Sequence, residues 1–600
     1  MSEAAVLLQF LNGLAGASSL FLVAAGLSLI FGVSRIVNFA HGSLYMLGMY
    51  LAVWLSARVG FWLSVPLAAA AVGAFGLLAE IVLLRRIYRA PELLQLLATF
   101  ALVLVIKDFA LWAWGPEDLL GPRAPGLTGA VDIAGRRFPA YDLFLIALGP
   151  MVFVALHLLL SKTRWGILVR AATEDREMTG ALGVNQRWLF TGVFMLGAAL
   201  AGLGGALAIP REPANLELDL AVVSDAFVVV VVGGLGSIPG AFLAALLIAE
   251  IKAFCIGLGY SKLTLVAEFI VMAVVLVLRP WGLLGRRPAE ARGTLNAALD
   301  FASAKIFLPL VVVLALIPVF SGGYALVLLT DVLVFALFAV SLHFLLGAGG
   351  MVSFGHAAYF GLGAYGAALL VLRAGLPMEL ALILGPLAAA AGAALFGWFC
   401  VRLSGIYLAM LTLAFAQIVW SIAFQWDGVT GGSNGLVGLW PASWLGSRGA
   451  YYGATLMLCG LGIAALWRIV ASPFGHALRS TRDSPLRAEA IGIDVRAQQW
   501  TAFIVAGSFA GLAGSLYAFS KGSISPETLS VPRSVDALVM VLLGGVQSLA
   551  GPVWGAALFT WLEDSVSREI AYWRAAIGVV ILLLVLAFPQ GVAGLLKRLR

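Results

Sequence analysis

The segment VSFGHAAYFGLGAYGAA, residues 352–368, sets a histidine, a serine and two tyrosines among glycines and alanines, and a looser copy, VNFAHGSLYMLGMYLA, stands at residues 37–52. An apolar chain has no general use for this phrase, so its recurrence reads as duplication. Working outward, an offset of 315 carries Phe39, His41, Gly48 and Tyr50 onto Phe354, His356, Gly363 and Tyr365. An offset of 309 carries Gly166, Arg170, Gly183, Arg187, Gly202 and Gly205 onto Gly475, Arg479, Gly492, Arg496, Gly511 and Gly514. An offset of 311 carries Asp225, Gly233, Gly234, Ser237 and Gly240 onto Asp536, Gly544, Gly545, Ser548 and Gly551. The chain is two copies of one unit with small changes in loop length.

Of its 600 residues 62% are hydrophobic and 11% charged, where a soluble domain carries about 25% charged. Apolar stretches near the ~20 residues needed to cross a bilayer recur along the chain. The expected class is an all-α polytopic membrane protein. The first positive charge is Arg35, which argues for a retained first helix rather than a cleaved signal peptide. The net charge of +7 gathers at segment ends, as positive charge on the cytoplasmic side of a membrane does, so no nucleic-acid partner is expected. Cys255, Cys400 and Cys459 lack metal or disulfide spacing, and no metal site is expected.

Placing Arg35, Arg85–Arg86–Arg89, residues 161–187, Arg279–Arg292 and Lys597–Arg600 on the cytoplasmic face threads the first half through about nine crossings. They fall near 8–33, 38–56, 61–84, 93–115, 141–160, 188–209, 221–233, 237–257 and 263–279. Nine is odd, so a second half of parallel topology needs one more crossing. The segment IFLPLVVVLALIPVF, 306–320, has no counterpart and supplies it. The expected domains are 1–280, a cytoplasmic linker 281–305, the extra helix 306–320, and a second half of about ten segments over 321–600. Parallel repeats of this kind suit a central pathway.

The densest polar stretches between helices are 161–187, with eight charged residues in 27, and 472–498, with seven. Ile167, Leu168, Ala171 and Ala172 have the spacing of a short interfacial helix, and Gly183 and Gly492 stand where such a helix would stop. Two copies, with Arg170 and Arg479 in register, point to a docking element, because guanidinium groups grip a partner's carboxylates. None of the seven lysines sits in a phosphate-binding loop, so ATP-driven motion would need separate hydrolysing subunits.

The stretches RIVNFAHGSLYMLGMY, RWGILVRAATEDREMTGALGVN and GGLGSIPGA make the first half resemble a LivH-type permease. GMVSFGHAAYFGLGAY, LSGIYLAMLTLAFAQIV, TGGSNGL and SPFGHALRSTRDSPLRAEAIGI make the second resemble a LivM-type permease. These are the membrane subunits of branched-chain amino acid ABC importers, here joined in one chain, with 306–320 similar to the extra first segment of LivM-type subunits. The resemblance covers roughly 30–280 and 306–595. Met351 and His343 depart from the glutamine and asparagine common in similar sequences. The resemblance implies a permease rather than an enzyme, in the bacterial inner membrane among lipid. Its partners would be a periplasmic solute-binding protein and two ATP-binding cassette subunits, which use the ATP; the chain binds no cofactor. Relatives carry branched-chain amino acids, or urea, short amides and aromatic acids. The expected ATPase-docking residues are Arg170, Glu174, Glu177, Gly183, Arg479, Asp483, Glu489 and Gly492.

The small-residue phrase permits close helix contact and a broken helix beside a watery cavity. Asn38, His41, Ser43, Ser353 and His356 would then face the pathway or satisfy freed backbone; helix-start histidines bonded to a carbonyl are the other reading. Tyr407, Thr412 and Gln417 either line the pathway or bond between helices. Gly197, Ala201, Gly205 and Ala506, Ala510, Gly514 repeat at four-residue spacing, a ladder for tight crossings. Lys107 with Asp108, Glu250 with Lys252, and Glu80 with Arg85 are expected to self-pair or snorkel. Asp225 and Asp536 are expected to cap the outer end of a short helix. An ion-driven transporter would need a midplane acidic cluster shared by both halves, and an enzyme a convergent acid, base or nucleophile; the sequence offers neither.

Overall fold

In hydrocarbon each backbone N–H and C=O must find its partner within the segment, so apolar runs of this length fold as helices. The computed structural model describes residues 2–88, 90–286, 313–318 and 322–587. The first set of helices is α1 Glu3–Ser34, α2 Ala40–Val59, α3 Phe61–Ile87, α4 Glu92–Trp114, α5 Ala140–Lys162, α6 Arg164–Glu174, α7 Arg176–Ala181, α8 Gln186–Ala208, α9 Leu218–Gly233, α10 Ile238–Gly257 and α11 Thr264–Leu278. The second follows the same order: α12 Gly323–Ala348, α13 His356–Leu372, α14 Met378–Cys400, α15 Gly405–Gln425, α16 Arg448–Val470, α17 Pro473–Asp483, α18 Pro485–Ala490, α19 Val495–Lys521, α20 Val531–Gly544, α21 Gly551–Glu569 and α22 Trp573–Ala587. α3 passes through a π turn at Glu80–Leu84 and α12 ends in one at Phe344–Ala348. Strands are confined to connections. A hairpin, β1 Ala130–Ile133 and β2 Arg136–Pro139, turns through Ala134 and Gly135 at positive φ, and β3 Leu436–Val437 pairs with β4 Ser523–Ile524.

The described residues divide into two units, the first gathering those up to 286 together with 571–586, the second those from 313 to 570. The sequence carried the second half to 600; packing moves α22 into the first unit. There Asp108 Oδ2 accepts the Ala575 amide at 2.7 Å, filling an orphan donor in the first turn of α22 with a carboxylate that the helix N-terminus favours. Gly578 approaches Ala101 O, where a Cβ would come within 2.7 Å. The expected linker is described only over 281–286, where the Leu283 and Leu284 amides donate to Val232 O and Gly233 O at 2.7 and 3.0 Å. The extra helix 306–320 is described only over 313–318, which are helical, and Tyr452 OH donates to Leu314 O at 2.9 Å.

Among the described residues twelve helices are long and apolar enough to cross a membrane. α9 and α20 have 16 and 14 residues; at 1.5 Å per residue they reach about 24 and 21 Å, short of a ~30 Å hydrocarbon core.

Inside each unit the small-residue ladders meet the copied phrase. A Cβ on Gly48 of α2 would come within 2.5 Å of Gly202 O on α8, and Gly205 lies against Tyr45 O. In the second unit Gly363 of α13 lies against Gly511 of α19, and Gly514 against Phe360 O. Backbone on backbone at this range excludes any side chain and gives dispersion contact that hydrocarbon cannot otherwise supply.

Candidate functional site

The break before α2 is built by side chains that replace lost helix partners. Arg35 ends α1 at φ 58° with its amide on Phe31 O. Asn38 Oδ1 accepts the Ala40 amide at 3.1 Å, and Thr99 Oγ1 of α4 accepts the Phe39 amide at 3.4 Å while donating to Leu96 O at 2.9 Å. In the second unit Thr412 Oγ1 of α15 accepts the Phe354 amide at 3.1 Å and donates to Ala409 O at 2.6 Å. The Thr412 hydroxyl, read as lining a pathway or bonding between helices, makes bonds between helices, and its counterpart Thr99, offset by 313, went unnoticed in the sequence.

Both copied histidines are fully buried at the start of their helices. His41 Nε2 donates to Val23 O at 2.9 Å, the carbonyl leaving it no other role. His356 Nε2 lies 2.8 Å from Ser341 Oγ, and its ring stacks on Phe338. Beside them are buried polar atoms without a hydrogen-bond partner in register across the units: Asn38 Nδ2 and Ser353 Oγ, His41 Nδ1 and His356 Nδ1, Tyr50 OH and Tyr365 OH, all offset by 315. Ser43 Oγ adds another. Leaving such a group unmet costs about 1–3 kcal/mol, and the same set is left unmet in both units. Tyr50 and Tyr365 belong here although the sequence singled them out only as repeat markers. Tyr407 is buried and Gln417 half-buried on α15.

The charged loops fold alike, cap for cap at an offset of 309. Thr163 Oγ1 accepts the Gly166 amide at 3.1 Å and Ser472 Oγ the Gly475 amide at 3.4 Å, opening α6 and α17. Asp175 and Ser484 open α7 and α18, Asn185 and Asp494 open α8 and α19. Gly183 and Gly492 stop the short helices at φ 84° and 88°. Just before them Leu182 and Ile491 stand 77% and 74% exposed, a matched apolar pair that sequence periodicity did not reveal. Arg170, Glu174, Glu177, Asp483 and Glu489 are exposed, as are both glycines, and Glu174 meets Arg286 at 3.6 Å.

Arg479 differs from Arg170. Its guanidinium turns back to Gly475 O and Val470 O, both at 3.3 Å, and to His476 Nδ1 at 2.9 Å. Burial and the neighbouring Arg482 lower its pKa from the usual guanidinium value, against the opposing pull of Asp483.

The charges within segments pair otherwise than their spacing implied. Lys107 Nζ lies 3.5 Å from both Glu217 Oε1 and Asp219 Oδ1, not on Asp108. Lys252 reaches Asp225 at 3.3 Å and Glu268 at 2.6 Å, while Glu250 turns its carboxylate onto Gly13 of α1. Glu80 does meet Arg85, at 3.2 Å. Asp225 and Asp536 lie inside α9 and α20, paired with Lys252 and Arg533, so neither is a cap. Chain neighbours on a helix point apart, which is why adjacent charges find distant partners.

The family described as branched-chain amino acid transport system / permease component matches residues 9–278 and again 324–588. The chain is 30% identical over 297 residues to the high-affinity branched-chain amino acid transport system permease protein BraD of Pseudomonas aeruginosa, covering 47% of this chain and 96% of the relative. It is 28% identical over 356 residues to LivM of Escherichia coli, covering 54% and 84%. To LivH of Escherichia coli it is 26% identical over 300 residues, covering 47% and 96%. Two matches within one polypeptide, and relatives that each cover about half of it, coincide with the duplicated helices and loops. The chain belongs to the branched-chain amino acid permease family, as a LivH-type and a LivM-type permease fused in one polypeptide.

Proposed function

We propose that this chain forms the translocation pathway of an ATP-driven, binding-protein-dependent importer for branched-chain amino acids in a bacterial inner membrane. A periplasmic solute-binding protein delivers the amino acid, and two ATP-binding cassette subunits dock on the α6–α7 and α17–α18 elements. The observation that carries this reading is the matched loop pair: the same caps, the same left-handed glycine and the same exposed aliphatic residue at Leu182 and Ile491. An exposed apolar residue repeated in register beside charges is what a partner-binding patch requires.

α8 and α19 continue directly from the docking helices and carry the small-residue ladders, so displacement at the loop reaches α2 and α13 through backbone contact. Arg482 of α17 donates to Gly347 O in the π turn that ends α12, a second route from docking helix to break. The buried unpartnered polar atoms at the breaks support a hydrated passage for a zwitterion. The names of the relatives favour branched-chain amino acids over urea, short amides or aromatic acids as solute.

Reconstitution tests the reading. Vesicles holding this chain, both ATPase subunits and the binding protein should accumulate L-leucine with ATP, and vesicles lacking the ATPases should not. Uphill uptake by the isolated chain would overturn it.

A further inference from the structure

The first unit holds a charge cluster that its scaffold does not need. Lys107 on α4 is 10% exposed at its side chain and lies 3.5 Å from the carboxylates of Glu217 and Asp219. Both pairs are longer than the 2.7–2.9 Å of a well-made N–H to carboxylate bond. One cation faces two carboxyl groups. Asp219 is 1% exposed; its Oδ1 accepts the Leu220 amide at 2.7 Å, but its Oδ2 is buried without a partner. Tyr50 OH, buried on α2 and within the field of Asp118 and Asp219, has none either. Glu217 is 86% exposed at its side chain and opens the cluster to the surface.

A buried carboxylate oxygen without a donor, beside a loosely paired ammonium, is costly. Removing both charges would cost less, and the second repeat has done so: at the same offsets, 313 and 311, it carries Trp420 and Ser530. Retention in one unit alone points to a ligand with both charges. An α-amino acid supplies them. Its ammonium gives Asp219 Oδ2 the missing donor, while its carboxylate takes Lys107 Nζ and the Tyr50 hydroxyl.

We propose that Lys107 and Asp219 form a recognition site for the charged end of an amino-acid zwitterion, held by the first unit alone. The site deepens the importer reading and rests on it. Empty, the two side chains hold each other at 3.5 Å; loaded, each turns to the solute group of opposite sign.

The test uses the complex with its ATPase subunits in nanodiscs and radiolabelled L-leucine, competed by isoamylamine, which lacks the carboxylate, and by 4-methylpentanoate, which lacks the ammonium. Wild type should prefer leucine over each by tenfold or more. K107M should lose the preference over isoamylamine and keep that over 4-methylpentanoate; D219N should do the reverse. A merely structural ion pair would move both ratios together. Should either neutral variant fail to assemble, K107R and D219E keep the charge and shift its position, and each should weaken only its own ratio. Unchanged ratios, both ratios falling together, or a wild type without preference overturns the site. Leucine uptake by wild type alongside such a result would leave the importer reading intact, whereas no ATP-driven leucine uptake at all would overturn that reading and this site with it.

Discussion

In the first unit α4 presents Lys107 to Glu217 and Asp219; at the equivalent place in the second, α15 presents Trp420, stacked on Phe424 with ring centroids 5.0 Å apart. Eight residues earlier the same two helices carry Thr99 and Thr412, which hold the Phe39 and Phe354 amides in the same way. Duplication has kept what backbone geometry requires and released what chemistry requires. Caps, left-handed glycines and backbone-on-backbone crossings survive in both units, because each answers a demand of the fold, the caps with Ser472, Ser484 and Asp494 in place of Thr163, Asp175 and Asn185. The Lys107–Asp219 pair survives in one.

The sharpest way to break that comparison is at the crossings. G205A and G514A place a methyl group against Tyr45 O and Phe360 O, and neither oxygen can yield without parting the helices. Each variant should lose at least the about 1–3 kcal/mol of an overpacked core, read as a large fall in thermal unfolding temperature in detergent. G453A, on α16 with nothing within 4 Å of the new carbon, should be neutral or slightly stabilising. If only one of the first two is damaging, the scaffold is not shared.

The docking arginines should then separate. R170E reverses an exposed charge and should abolish stimulation of the partner ATPases while leaving the unfolding temperature unchanged. R479E removes hydrogen bonds to Gly475 O and Val470 O and should lower that temperature as well. Equal melting of the two variants would erase the difference between the loops. The threonines give the smallest effect. T412V withdraws the acceptor of the Phe354 amide and should cost about 1–3 kcal/mol in chemical unfolding. T99V should cost as much, because its longer bond to the Phe39 amide is joined by one to Val37 O at 3.2 Å.

Much of this was readable in advance. The repeat, the charged loops and the ladders follow from local rules: glycine where backbones touch, Ser, Thr, Asp or Asn at helix starts, charge where a loop meets water. The helix ends Ser34, Trp114 and Lys162 fell within two residues of the expected 33, 115 and 160. Long-range pairing was not readable. Lys107 and Asp219 lie more than a hundred residues apart, and their meeting depends on the descent of the chain before α9. The exposed pair Leu182 and Ile491 looks like any aliphatic residue until folding leaves it uncovered. Arg479 turns back because His476 and two carbonyls are at hand, which register with Arg170 could not reveal. Nor does hydropathy say against which repeat a terminal helix packs.

That last helix bears on how the protein is made. The N–H group that Asp108 accepts belongs to Ala575, 467 residues later, so a carboxylate inserted early in synthesis meets this donor only after both repeats have been made. Joining the two permeases in a single gene product guarantees that each nascent first half is followed, in equal number, by the helix that completes it.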